Sequence, residues 1–255
     1  MRNEMTGGST SFDQEIWKEI ENVIKTNNIS IQDVLESFSL FTRRVNFTKL
    51  LIFHELFLQV KDLPGSIVEL GVYRGNVSSM FAKFLEIYCT GDRFKKVIGF
   101  DNFSGFQSFS EEDGDIANNR GKLIGGWNSG DFKDALLKMF EIHTKDSFLP
   151  RAPRTNIIEG DICETVPKFS IANPGFRISL LHLNCNLYQP TRIALEEFYP
   201  KIVPGGIVVC AEYGITEWAG ETKAIEEYFK GKLPDFKRLG WHAQPNCYFI
   251  KPHNQ

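Results

Sequence analysis

The sequence predicts an α/β architecture built on a mainly parallel sheet, and three observations carry that prediction. After Pro64-Gly65, short apolar runs alternate with amphipathic segments of helix length, the pattern of βαβ units. The run "IVVCA" (207–211) is apolar throughout, as expected of a strand covered on both faces. In "VELGVYRGNVSS" (68–79), one such run passes into a helical segment through a turn that contains Gly71 and Gly75.

Taken in order, residues 1–11 are polar and rich in Gly, Ser and Thr, which predicts a loosely held start. From "FDQEIWKEIENVIKTN" onward, Phe12, Ile16, Ile20 and Ile24 recur every four residues, the spacing of an amphipathic helix. "SIQDVLESFSLFTRR" and "FTKLLIFHELFLQV" continue that pattern to the turn "KDLPG". Residues 1–61 are therefore expected to be a helical appendage that packs on or covers a second unit, 62–255. In that unit "SIVEL", "KVIGF", "TNIIEG", "ISLLHL" and "GIVVCAE" are five candidate strands, with helices expected over 76–88, 131–146, 189–200 and 220–231. "FKRLGWHAQPNCYFIK" reads as an antiparallel edge hairpin turning at "QPN". The polar, Gly-rich stretch at about 107–130 is too long for an ordinary connection and predicts a lid.

A length of 255 residues suits one large domain or a domain with an appendage. The net charge of −3 gives no electrostatic reason to expect nucleic acid or an anionic membrane surface as a partner. No apolar run reaches the roughly 18–20 residues needed to span a bilayer, and the N-terminus lacks the apolar core of a signal peptide. Five scattered cysteines form no C-x-x-C pair and no zinc spacing, which favours buried thiols in a reducing, cytoplasmic compartment. The 22 phenylalanines predict a bulky core and aromatic walls around any pocket. The apolar appendage is a candidate homodimer surface.

In open parallel sheets, ligands bind at the carboxyl ends of the strands. Strand one ends in Glu69-Leu70-Gly71, and strand two ends in Gly99-Phe100-Asp101, its acid thirty residues after Gly71. An acid at that second tip can accept two hydrogen bonds from a ribose diol. NAD and S-adenosylmethionine both carry such a diol. The glycine spacing is G-x-x-x-G, where a pyrophosphate site wants G-x-G-x-x-G. Glu69 would also repel a pyrophosphate, whereas it suits a ligand bearing an ammonium and a sulfonium. A methionine-derived cofactor is favoured, and a dinucleotide stays as the alternative.

"ELGVYRGNVSS", "VIGFDNFSGF", "IIEGDI", "LHLNCNLYQPT" and "YPKIVPGGIVVCAEYG" follow one another at plausible spacing over about residues 63–230. Together they resemble the macrocin O-methyltransferase (TylF/MycF-like) family of class I S-adenosylmethionine-dependent methyltransferases. The resemblance implies a Rossmann-like, seven-stranded, mostly parallel sheet with an antiparallel last strand and an N-terminal helical region. It also implies methyl transfer from S-adenosyl-L-methionine to a hydroxyl of a small molecule, typically a sugar of a natural product. By position, Glu69 and Gly71 would contact the methionine part, and Tyr73, Arg74, Gly75, Asn76 and Ser78 would line the turn and helix start. Asp101 would hold the ribose with Asn102 and Phe103 beside the adenosine, Gly160, Asp161 and Ile162 would reach the adenine, and Asn184 would close the site. Asp161 has an ordinary alternative as a helix N-cap.

The resemblance breaks at the acids. Family members carry Asp-x-Asp before the Leu-Tyr and an Asp-Asp closing the next strand, which hold a divalent cation. Here those positions read Asn184-Cys185-Asn186 and Ala211-Glu212. A unit charge pair at ~4 Å is worth roughly 4 kcal/mol at an effective dielectric near 20, so losing two carboxylates weakens a magnesium site severely. No metal ligands are assigned. Glu212 is the first candidate for the base that takes the acceptor's proton, and His182 the second. His143 is expected at the surface, and Asp113, Asp115 and Trp127 of the lid are candidates to face substrate. Two alternatives stay open: a metal-independent transfer directed at an amine or carboxyl group, and a cofactor-binding homologue without turnover.

Overall fold

The computed structural model describes residues 11–114, 122–240 and 244–253. Within them a single sheet runs in the order β3-β2-β1-β4-β5-β6. Its strands are β1 (Ser66–Leu70), β2 (Val97–Asp101), β3 (Thr155–Glu159), β4 (Ile178–Leu183), β5 (Ile202–Cys210) and β6 (Cys247–Ile250). All neighbours are parallel except β5 and β6. Strand order reverses between β1 and β4, which opens a crevice at their carboxyl ends.

All five expected strands form. The seven-stranded sheet does not, and among the described residues there are six strands. Of the terminal hairpin only β6 is a strand. The other arm is reduced to one antiparallel bridge, Lys237 to Tyr248. That arm follows Pro234 at the sheet edge and is held by its side chains, Phe236 stacking on Tyr213 and Leu239 packing on the α4 side, while Lys237 and Arg238 are exposed.

Alternation along the strands sorts side chains onto two helical layers. Ile67, Leu180 and Val209 face α4 (Arg44–Val60) and α5 (Asn76–Tyr88). Val68, Leu181 and Val208 face α7 (Ile162–Ala172), α8 (Tyr188–Phe198) and α9 (Ala219–Phe229). A smaller cluster joins Leu136 and Phe140 of α6 (Gly130–Lys145) to Val72 and Phe103 beside the crevice. Helix α7, absent from the expected set, carries Pro167 inside it.

The N-terminal region is four helices: α1 (Ser11–Thr26), α2 (Ile31–Glu36), α3 (Phe38–Phe41) and α4. Only α4 docks deeply, through Ile52, Phe53, Leu56, Phe57 and Val60, while α2 and α3 bury no residue. Arg43 ties α1 to the start of α4 through an ion pair with Asp13 at 2.5 Å. At the other end of α4, buried Lys95 donates to the Val60 and Leu63 carbonyls, both at 2.7 Å. Those carbonyls have no partner within the helix, and a cation suits that end of its dipole. Because Lys95 immediately precedes β2, α4 runs against the parallel strands. Its N-terminal half therefore lies toward their carboxyl ends.

No helix among the described residues is long and apolar enough to cross a membrane. All five cysteines are free thiols.

Candidate active site

At the β1 tip, Glu69 is almost fully buried (1% exposed) and paired in register with His182 of β4. Its Oε2 accepts from the Ser78 hydroxyl, and its Oε1 lies 3.4 Å from His182 Nδ1. Ser78, at the start of α5, therefore braces Glu69. Gly71 and Gly75 have φ of +87° and +75°. A Cβ at Gly71 would come within 2.2 Å of the Asn184 carbonyl oxygen, and one at Gly75 within 2.1 Å of Leu136 Cδ1. At both glycines the close approach is to the protein's own β4 tip and α6. Asn76 is exposed at the first turn of α5.

Asp101, at the β2 tip, organises the facing turns. Its Oδ2 accepts the Tyr73 N–H at 2.7 Å and its Oδ1 the Phe103 N–H at 2.6 Å. Burial pushes this carboxyl above the usual range. The two N–H donors oppose that shift, and the nearby Glu69 charge adds to it. Asn102 is spent on its own turn, donating to Gly105 and accepting from Ser104 N–H. The Phe103 ring packs in the α6 cluster with Val72, Leu136 and Phe140. Gly160 follows β3 with φ +136°. Asp161 is exposed and N-caps α7, accepting from Cys163 N–H at 2.8 Å, with Ile162 next to it.

Over these tips Tyr73 and Trp127 meet edge to face at 5.5 Å. The Trp127 indole N–H and the Arg74 Nε are buried donors without a partner among the described residues. The Arg74 guanidinium lies 5.4 Å from each of the Tyr73 and Phe132 rings. Two buried carboxylates, aromatic walls and orphaned donors fit a ligand that carries positive charge, a diol and a carboxylate. S-adenosylmethionine has all of these. Each Asp101 oxygen keeps a second lone pair for a hydroxyl.

The β4 and β5 tips are different in kind. Asn184 turns its amide into the β1 turn, donating to the Gly71 carbonyl at 2.9 Å. Asn186, at φ +64°, donates to Glu212 Oε1 at 3.4 Å, and Gln244 donates to the same oxygen. Glu212 Oε2 accepts no hydrogen bond among the described residues. Burial raises the Glu212 carboxyl, against the lowering effects of Gln244 and the Lys49 charge. Behind it Glu221, fully buried, accepts the Glu212 N–H at 3.0 Å on Oε1, while its Oε2 has no partner.

Ala211 offers no side-chain ligand, and Asn184 and Asn186, whose NH2 groups bond to protein, offer only neutral oxygens where carboxylates would be needed. Among the described residues no three His, Cys, Asp or Glu converge as a metal site. This donor set does not fit a hard divalent cation.

His182 points into the α4 layer, as its strand parity dictates, with its ring 5.0 Å from that of Phe53. It supports Glu69 from behind rather than facing the crevice. His143 lies away from the tips on α6, 3.2 Å from Lys83 Nζ. The stretch expected to be a lid is pinned at its base, where Phe106 N–H donates to Gly126 and Gly125 N–H to Phe106, at 3.0 and 2.8 Å. Asp113 is buried and accepts the Tyr188 N–H at 2.7 Å, so it fastens the lid to α8 instead of facing substrate. Asp115 lies outside the described residues. Sequence reasoning missed Lys49, Gln244 and Glu221. Only Lys49 left a signal, as a charge interrupting the apolar stripe of α4.

Comparison with known proteins agrees with this geometry. The chain is 27% identical over 153 residues to a tetracenomycin rhamnosyl 4'-O-methyltransferase of Streptomyces olivaceus, covering 60% of this chain and 54% of that protein. It is 25% identical over 170 residues to the mycinamicin III 3''-O-methyltransferase of Micromonospora griseorubida, covering 65% and 61%. The chain thus matches little more than half the length of these curated relatives. Its structure superposes on that of CalS11, a calicheamicin methyltransferase, with a TM-score of 0.86 at 26% identity, covering 96% of this chain and 95% of the other. An apo structure of CalS11, described as a TDP-rhamnose 3'-O-methyltransferase, gives a TM-score of 0.77 at 25% identity over 98% and 99%. The model of the macrocin-O-methyltransferase (TylF) family matches residues 50–233, and the chain belongs to that family.

Proposed function

We propose that the protein is an S-adenosylmethionine-dependent O-methyltransferase acting on a hydroxyl of a small sugar or natural-product glycoside. The observation that carries this reading is one crevice joining two kinds of acid. Glu69 and Asp101 at the β1 and β2 tips suit a cationic cofactor with a ribose, and Glu212 stands at the β5 tip. The cofactor supplies an electrophilic methyl group on a sulfonium. Asp101 orders the two turns that would cradle the ribose, and Glu69 provides the negative charge beside the methionine end. Glu212 accepts the acceptor's proton, and a carboxyl raised by burial is better matched to proton transfer near neutral pH. The relatives that act on rhamnose-type sugars support a deoxysugar hydroxyl as the acceptor class. The docked lid supports exclusion of water during transfer. Five free thiols suit a reducing compartment, and we place the protein in the cytoplasm.

Calorimetry with S-adenosylhomocysteine and NAD, followed by mass spectrometry of TDP-rhamnose incubated with S-adenosylmethionine, tests the reading. Micromolar-range binding of the first nucleoside, none of the second and a gain of one methyl are expected. Equal binding of the two ligands would contradict it.

A further inference from the structure

Lys49 stands at the crevice with no role so far. It lies one helical turn before Phe53, whose ring meets His182, so it continues the buried stripe of α4 toward the strand tips. It is half-buried. The other buried lysines of this chain are all satisfied. Lys95 donates to Val60 and Leu63 carbonyls, Lys122 to those of Asp113 and Glu217, and Lys251 to those of Tyr199 and Ile202. Lys49 makes no hydrogen bond or ion pair among the described residues, although the Glu69 and Glu212 carboxylates both act on it electrostatically. Partial burial disfavours the charged form of Lys49, and the two carboxylates oppose that shift. A group held this way is poised for a partner that arrives with the ligand.

We propose that Lys49 is a further catalytic residue of the transfer, its ammonium donating a hydrogen bond to the acceptor oxygen opposite Glu212. The inference rests on the methyl-transfer reading. The acceptor hydroxyl gives its proton to Glu212, and its oxygen bonds to the methyl carbon of the sulfonium cosubstrate. The carbon–sulfur bond breaks, and its electron pair remains on sulfur. A positive donor at the oxygen stabilises the charge that develops as the proton leaves, in the crevice where family members hold a divalent cation. The ionisable groups around it are Glu69 from β1, His182 from β4 and Glu212 from β5. With Asp101 and Arg74 counted, three carboxylates stand against two cations, so the crevice stays anionic and attracts a cationic cosubstrate.

Steady-state kinetics with S-adenosylmethionine and TDP-rhamnose would compare the unmodified protein with Lys49→Met and Lys49→Arg. Calorimetry with S-adenosylhomocysteine would run alongside. Lys49→Met is expected to lower kcat about 100-fold, leave S-adenosylhomocysteine affinity within about threefold, and be partly rescued by Arg. In the S-adenosylhomocysteine complex, the NMR titration of 13C-dimethylated Lys49 is expected to move to a lower midpoint in Glu212→Gln, which removes a charge that favours the ammonium. A Lys49→Met rate within about threefold of the unmodified protein, or a Lys49 midpoint indifferent to Glu212→Gln, would overturn the proposal. If TDP-rhamnose is not methylated at all, that acceptor fails. The midpoint then decides alone: unmoved it overturns the Lys49 assignment, and moved it supports it.

Discussion

At the tips of β1 and β2, polar groups are tied down by neighbours in the same or the adjoining turn. Asp101 takes two backbone N–H groups, Ser78 braces Glu69, and Gly71 packs on the backbone of Asn184. At the tips of β4 and β5, Glu212 is held by groups from several separate elements. Gln244 and Asn186 share one of its oxygens, Glu221 takes its backbone N–H, and Lys49 approaches from α4. The first half is hydrogen-bonded and packed without any ligand. The second keeps an open carboxylate oxygen and an unpaired amine. Such a division suits a site that binds one constant partner and performs chemistry on another.

Exchanging groups between the halves should therefore give opposite signatures. The largest effect is expected for Glu212→Gln, which keeps the shape and removes the basicity. Turnover should fall by about 10²–10⁴-fold, with S-adenosylhomocysteine affinity within a few-fold, the pattern of a group acting on the acceptor. Comparable losses in both quantities would erase the distinction between the halves. Asp101→Ala should do the reverse. Two buried N–H groups lose their acceptor, at roughly 1–3 kcal/mol each, so calorimetry should show cofactor binding weakened more than tenfold and melting should show lower stability. Unchanged affinity would mean that Asp101 serves the fold alone.

A smaller effect concerns Glu221 and the pH dependence of stability. Burial holds its carboxyl well above the usual range, and Glu212 and Asp101 shift the same way. The folded state therefore keeps protons that the unfolded state gives up. The stability contribution is full below the ordinary carboxylate range and is lost as pH rises through the elevated folded value. Thermal melts across that window should show stability declining as pH rises. Glu221→Gln should flatten the decline, whereas identical slopes in the two proteins would refute the assignment of a buried neutral carboxyl.

How much of this was legible in the sequence follows the same division. The strands, the turn at Gly71 and the acids at 69, 101 and 212 were visible because local periodicity and strand ends define them. The N-cap role of Asp161 was legible as an alternative, whereas the duties of Ser78, Asn102 and Phe103 were not, since each side chain is spent on protein contacts that only the fold reveals. His182 was a candidate base by residue type, with the helix layer as the other direction its ring could take. Its parity with Glu69 sends it toward Phe53. Lys49 and Gln244 became part of the site only when α4 and the approach to β6 were folded over the tips.

The central claim is that this chain's own charges, without a metal, serve the acceptor side. The direct measurement is magnesium and calcium titration into chelator-treated protein with S-adenosylhomocysteine bound, paired with methyl-transfer rates before and after chelation. No stoichiometric binding and an unchanged rate are expected. One tightly bound cation ligated by Asn184 and Glu212, with transfer abolished by chelator, would contradict the account.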